Sequence, residues 1–240
     1  MIVKSKAILL HHVRHSDNSL IACFYTREYG RLSVLVKGIS SRKGNARYLY
    51  FQPLYIFDIE LYYRDTRELH NLKELNLSFT PVNVTSDIFK STISLFLSEV
   101  LYSLIREEDV NVKLYGFIES SVKALDGLSS GVSNFHLWFL VSLMSYVGIG
   151  PTFTSEDGAC FDMLSGQFVS LPPLHPDYLE PQSAGILNIL LKSGVEDIAR
   201  LQFSGEERTT LLEKILRYYS LHLPGLRRIK SLQVLNDIFR

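Results

Sequence analysis

Apolar and polar residues alternate through the first eighty positions of the chain, then give way to apolar residues recurring every three or four. Leu32, Val34 and Val36 alternate with Arg31, Ser33 and Lys37, and Tyr55, Phe57, Ile59, Leu61 and Tyr63 alternate with Ile56, Asp58, Glu60 and Tyr62. A period of two predicts half-buried strands at both places. Ser5 to Val13 and Ser19 to Thr26 are rich in β-branched and aromatic residues and flank a His-Ser-Asp-Asn turn cluster, so they predict two more strands. Glu68 to Leu77 is a fifth candidate, and Glu28-Tyr29-Gly30 is a turn in which the glycine supplies a positive φ. A helix has room only around residues 40 to 50. Short strands joined by short turns predict a small barrel, and a five-stranded OB-type barrel is the economical choice.

Beyond Thr80 and Pro81 the period is helical. Phe89, Ile93, Phe96, Leu97, Val100, Leu101 and Leu104 form one stripe of a helix near Asp87 to Arg106. Leu114, Phe117, Ile118, Val122 and Leu125 repeat the pattern, as do Leu137, Trp138, Val141, Met144 and Gly148 before Gly150-Pro151. Ser204 and Glu207 form a capping box ahead of Leu211, Leu212, Ile215, Leu216 and Tyr219. The reading is an α+β chain with a barrel domain at 1 to 80, a mostly helical domain at 81 to 240, and an irregular insertion at about 151 to 182 carrying five prolines.

Charge sharpens that division. Residues 1 to 80 hold 12 Lys/Arg against 7 Asp/Glu, and the remainder 13 against 18, so a net charge of zero hides +5 and −5. A nucleic acid or an anionic membrane must therefore be held by a local patch. Two cysteines cannot build a disulfide framework or a Cys-only zinc site and suit a reducing compartment, which makes the cytoplasm the expected address. No apolar run reaches the roughly 18 residues of a membrane span, and the apolar stretch at Ala7 to Leu10 is too short for a signal-peptide core.

Candidate chemistry concentrates between Phe24 and Phe51. Arg27, Arg31, Lys37, Arg42, Lys43 and Arg47 are opposed there by Glu28 alone, the Gly38 to Asn45 section is rich in Ser and Gly, and Tyr48, Tyr50 and Phe51 follow. Cations to follow phosphates and rings to stack on bases, at ~1 to 3 kcal/mol per base, are the requirements of single-strand binding on an OB barrel. Solvated turn cations beside core aromatics fit the same letters.

These residues resemble a known family. The stretch AILLHHVRHSDNSLIACFYTREYGRLSVLVKGISSRKG at 7 to 44, then FQPLYIFDIELYYR at 51 to 64, is similar to the start of the bacterial RecO family of recombination mediators. So are LWFLVSLMSYVGIGPTF at 137 to 153 and HLPGLRRIKSLQVL at 222 to 235, and the most specific element is Thr-Arg-Glu-x-Gly-Arg-Leu leading to Lys-Gly at 26 to 38. The resemblance implies an OB fold followed by a helical domain, and work in DNA repair rather than catalysis. It implies binding of single- and double-stranded DNA, strand annealing, and help for the RecA recombinase in replacing single-strand-binding protein, together with RecR.

Arg27, Gly30, Arg31, Lys37 and Gly38 match the family's motif, and Arg42, Lys43 and Arg47 match its basic loop in character. About six phosphate contacts on single strands imply a slope of log affinity against log salt of ~−4. The helical domain is implied to receive the acidic, Phe-ended tail of single-strand-binding protein in an apolar groove rimmed by cations; Arg200, Arg217, Arg227, Arg228 and Lys230 are available, and the cluster from Leu226 to Lys230 could equally extend the DNA surface. Many relatives carry a four-cysteine zinc motif in the insertion. This chain has Cys160 alone there, so the expectation is a zinc-free variant packed around Phe153, Phe161 and Phe168.

Other constellations carry less. Asp58 and Glu60 share a strand face and would serve a metal-dependent nuclease if a third ligand joined them. His11, His12 and His15 alternate between faces, and His15-Ser16-Asp17 are too close in sequence to converge as a triad. No Gly-Lys-Ser or Gly-Lys-Thr phosphate loop occurs, and Gly148-x-Gly150 lacks the rest of a dinucleotide site, so no nucleotide cofactor is expected. Tyr218, Tyr219 and Trp138 lie within apolar stripes and read as core. A protein-interaction scaffold whose barrel touches no nucleic acid is the remaining alternative.

Overall fold

The computed structural model describes residues 1–39, 49–105, 110–152, 159–226 and 228–239. Five strands, β1 (Ile2–Ser16), β2 (Ser19–Thr26), β3 (Gly30–Lys37), β4 (Ile56–Tyr62) and β5 (Leu69–Phe79), close in the order β1-β2-β3-β5-β4. All pairs are antiparallel except β3 with β5, which pair in parallel over Ser33 to Leu35. This is the OB-type barrel that alternation predicts. The inward set is the apolar set: Leu20, Ala22 and Phe24 of β2, Leu32, Val34 and Val36 of β3, and Phe57, Ile59 and Leu61 of β4 are buried together.

Strand β2 is buried almost throughout, because its outward residues are covered as well. Helices α2 (Ile88–Leu104) and α3 (Val112–Gly127), which follow the short α1 (Val82–Ser86), pack against the barrel. The Ser98 hydroxyl of α2 donates to the Leu10 carbonyl, Ser94 donates to Pro53, and the Tyr25 hydroxyl of β2 donates to the Asn111 carbonyl while its ring lies 6.2 Å from that of Tyr115. The stripe of α2 faces inward as its spacing predicts, except that Phe89 stays exposed in the first turn. Residues 1–126 therefore form one compact unit and 127–240 a second, whereas the change of hydrophobic period falls at Thr80. The difference arises because α2 and α3 roof the barrel despite belonging to the helical half of the sequence.

The second unit is built on α4 (Val132–Tyr146), buried at every position from Asn134 to Val141. Around it stand α5 (Pro181–Lys192), α6 (Gly205–His222), α7 (Ser231–Phe239) and a single 3-10 turn at Ile198–Arg200. Trp138 donates to the Ser193 carbonyl and Tyr219 to the Leu140 carbonyl, so these aromatics are core residues with satisfied polar ends. Gly131 begins α4 at φ +73, where a Cβ would meet the Ile198–Ala199 backbone at 2.6 to 2.8 Å. The Ser204–Glu207 capping box forms at the start of α6.

The insertion is less irregular than its sequence. It carries a small sheet of β6 (Cys160–Asp162), β7 (Gln167–Val169) and β8 (Tyr178–Leu179), strands too short for a period of two to register. Among the described residues no helix is long and apolar enough to cross a membrane.

Candidate nucleic-acid interface

The cations that sit close together in sequence are separated by the barrel. Residues 32, 34 and 36 of β3 point into the core, so Arg31, Ser33, Leu35 and Lys37 point outward along its length. Eight residues at ~3.3 Å each put the two ends of β3 ~25 Å apart, with Arg27 beside one end and Lys37 at the other. Phosphate ligands from both ends cannot form one tight cluster.

Arg31, one of the expected phosphate ligands, has partners within the protein. Its Nη1 donates to the carbonyls of Tyr102, at 3.0 Å, and Ile105, and its guanidinium lies 4.5 Å over the Tyr102 ring. Those carbonyls end α2, where a helix leaves acceptors unpaired and favours a cation. Arg27 places its Nε 3.7 Å from Glu28, whose carboxylate also accepts from the Ser5 hydroxyl at 2.6 Å. Its field is offset locally.

Lys37 is exposed at the opposite end. Gly38 follows at φ +80, and the Gly38 and Ile39 amides both donate to the Asn18 carbonyl in the β1–β2 turn. Leu49 and Tyr50 are 66% and 43% exposed, and Phe51 enters the core against Phe57 at 5.9 Å and His12 at 6.2 Å. The expected contacts Arg42, Lys43, Arg47 and Tyr48, and the room for a helix around 40 to 50, lie outside the described residues. Residues 38 to 50 contain no acid, and exposed Lys37 and Tyr50 stand at either edge of the undescribed stretch.

Two residues at this end escape a reading based on basic runs. Arg14 and His15 are exposed on the far end of β1, next to the turn that binds Gly38. The available signal was the length of β1, whose pairing with β4 stops at Ile8 while its pairing with β2 continues to Ser16.

The outer face of β1, β4 and β5 has the opposite character. Glu60 lies 2.6 Å from Lys4 and 2.8 Å from Lys73, which hold its carboxyl below the usual range, and Asp58 lies across from Lys6 in the strand register. No third carboxylate, His or Cys joins them as a metal cluster among the described residues.

In the second unit a groove of about 920 Å³ runs between α6 and α7, floored by Leu216, Leu226 and Ile229 and rimmed by Arg217, Arg228 and Lys230. Arg217 also chelates Asp177 at 2.9 and 3.0 Å, and this partner depresses the Asp177 carboxyl. Arg227 lies outside the described residues, and Arg200 sits elsewhere, 3.7 Å from Asp197.

The insertion is tied down by ring contacts and by a contact between an imidazole and a carboxylate. Phe161 contacts Phe168 at 5.0 Å and Tyr218 at 5.5 Å, and His175 meets Asp162 at 3.2 Å. Phe153 lies outside the described residues. The two cysteines, Cys23 and Cys160, cannot supply the four thiolates of a Cys-only zinc site, and among the described residues no group of three or more His, Cys, Asp or Glu could hold a metal ion.

The comparisons cover the whole chain. A family model described as "Recombination protein O N terminal" matches residues 1–80, and one described as "Recombination protein O C terminal" matches residues 85–233. Curated relatives named "DNA repair protein RecO" are 38% identical in Phocaeicola vulgatus over 240 residues, 38% in Bacteroides fragilis over 242 and 35% in Flavobacterium johnsoniae over 240, each alignment covering 100% of both chains.

Proposed function

This chain belongs to the recombination protein O family of DNA repair proteins, and from that premise we propose that its barrel binds single- and double-stranded DNA and anneals complementary strands. In this reading the protein is a mediator without a catalytic group. It works in the cytoplasm with a RecR-type partner, and it helps the RecA recombinase onto strands covered by single-strand-binding protein. The acidic, apolar-ended tail of that protein lies in the groove between α6 and α7, its carboxylates facing Arg228 and Lys230.

The observation that carries the reading is the barrel end where exposed Lys37 and Tyr50 flank an acid-free basic segment. Cations there neutralise phosphates and release counterions, and the ring offers a face for a base. Neutralising two strands reduces their repulsion, and holding both raises their effective concentration for pairing. With Arg31 capping a helix and Arg27 offset, about four cations remain, Lys37 together with Arg42, Lys43 and Arg47 of the sequence that follows it, and the slope of log affinity against log salt on single strands falls to ~−3. Anisotropy of a labelled oligonucleotide across a salt series measures it, and annealing with and without single-strand-binding protein tests the mediator role. Salt-independent binding, or none in dilute buffer, would contradict the proposal.

A further inference from the structure

We propose that the protruding end of the β1–β2 hairpin, through His12, Arg14 and His15, is a further contact for the nucleic-acid phosphate backbone, and that its imidazoles take up protons when the polyanion binds. The inference rests on the DNA-binding reading above and adds residues and a proton to it.

Geometry comes first. Strand β1 outruns its partner β4 by eight residues, since their register ends at Ile8 and β1 continues to Ser16. From Val13 to Asn18 every residue is exposed, so this part of the hairpin closes no core. It is also not loose. The Asn18 carbonyl accepts from Gly38 at 2.9 Å and Ile39 at 3.4 Å, and the His12 ring contacts Phe51. The hairpin is therefore anchored to the chain on both sides of the basic segment, and a backbone lying on Lys37 and Tyr50 passes beside it.

Its charge is conditional. Arg14 is the one permanent cation from His11 to Asn18 and donates to the Asp17 carbonyl at 3.5 Å; Asp17 is the one acid. The other basic side chains of this stretch are histidines. His12 is half-buried, and burial followed by the neighbouring His11 lowers its pKa. His11 turns toward α2, its ring 4.6 Å from Tyr102, and responds to burial, to Arg31 of β3 and to Glu99 of α2; it lies opposite Cys23 of β2 and is not part of the proposed contact. Lys37 is the charged group of β3 nearest the tip, by its pairing with Ser19. A neutral imidazole meeting a phosphate gains a proton because the charged form is then favoured, and that proton is bound only in the complex. By linkage, affinity must rise as pH falls.

The test is binding of a labelled oligothymidylate to the full chain at constant ionic strength, at about pH 8 and about pH 6, which bracket the ordinary histidine range. Thymine and phosphodiester do not titrate there. The wild-type chain binds about tenfold more tightly at the lower pH, one such factor corresponding to a pKa displaced by about one unit. H12Q/H15Q loses most of the gain on going from the higher to the lower pH, while Arg14→Glu weakens binding at both. Because His12 touches Phe51, the single variant His15→Gln, at an exposed position, must remove part of the gain without changing the melting temperature. A flat profile in the wild-type chain, or an unchanged gain in H12Q/H15Q and His15→Gln, overturns this inference and leaves DNA binding standing. Absence of binding at both pH values overturns the DNA-binding reading itself and this inference with it.

Discussion

Arg31 and Lys37 lie on one strand, point out of the same face and carry the same charge, yet the fold uses them in opposite ways. Arg31 is bound to the carbonyl end of α2 and covered by Tyr102, whereas Lys37 stands in solvent beside the turn that opens the basic segment. A cation's neighbours in space decide whether it stabilises the protein or remains available to a ligand. The strongest way to break the comparison is to reverse charge at the available end. K37E/R42E/K43E should lose about a hundredfold in affinity for every DNA sequence alike, about 3 kcal/mol, with an unchanged melting temperature. Filter binding at fixed salt measures it, and loss confined to particular sequences would argue against phosphate recognition.

At the covered end the outcome is the reverse. Arg31→Ala removes charge-assisted hydrogen bonds to two helix-end carbonyls and a cation–π contact, so it should cost about 2 to 3 kcal/mol of stability in denaturant unfolding. Its salt slope on DNA should stay that of the wild-type chain.

The same contrast extends to histidines. His136 in the second unit is 2% exposed, and burial followed by Arg208 lowers its pKa to about 3. An unfolded histidine titrates near ~6.5, so between these values the unfolded chain binds more protons than the folded one. The stability that the neutral side chain contributes is present above ~6.5 and lost as pH falls below it, at about 1.4 kcal/mol per unit of pH. Calorimetry from neutral to mildly acid pH should show that loss, and His136→Gln should flatten it. The smallest effect is expected at the ring: Tyr50→Ala should weaken single-strand binding about five- to tenfold, about 1 kcal/mol, through lost stacking.

The barrel and the long helices were legible in sequence because their periods are long enough to count, as β3 and α2 illustrate. Strands β6 to β8 were not, since two or three residues establish no period. The use of Arg31 was hidden for another reason: its partners lie 71 and 74 residues away, and nothing in Arg31's own neighbourhood points to a helix end. The spatial grouping of α2 and α3 with the barrel was equally out of reach, although the double burial of β2 leaves a trace in its unbroken apolar run. Arg14 carries no signal in sequence because the end of β1 loses its alternation once both faces meet solvent.

Backbone amide NMR of the isotope-labelled chain, titrated with a single-stranded oligonucleotide in dilute buffer, tests the central claim most directly. Lys37, Gly38 and Tyr50 should shift while Arg27 and Arg31 stay in place. Movement at Arg27 and Arg31 with a silent Lys37–Tyr50 end would contradict it.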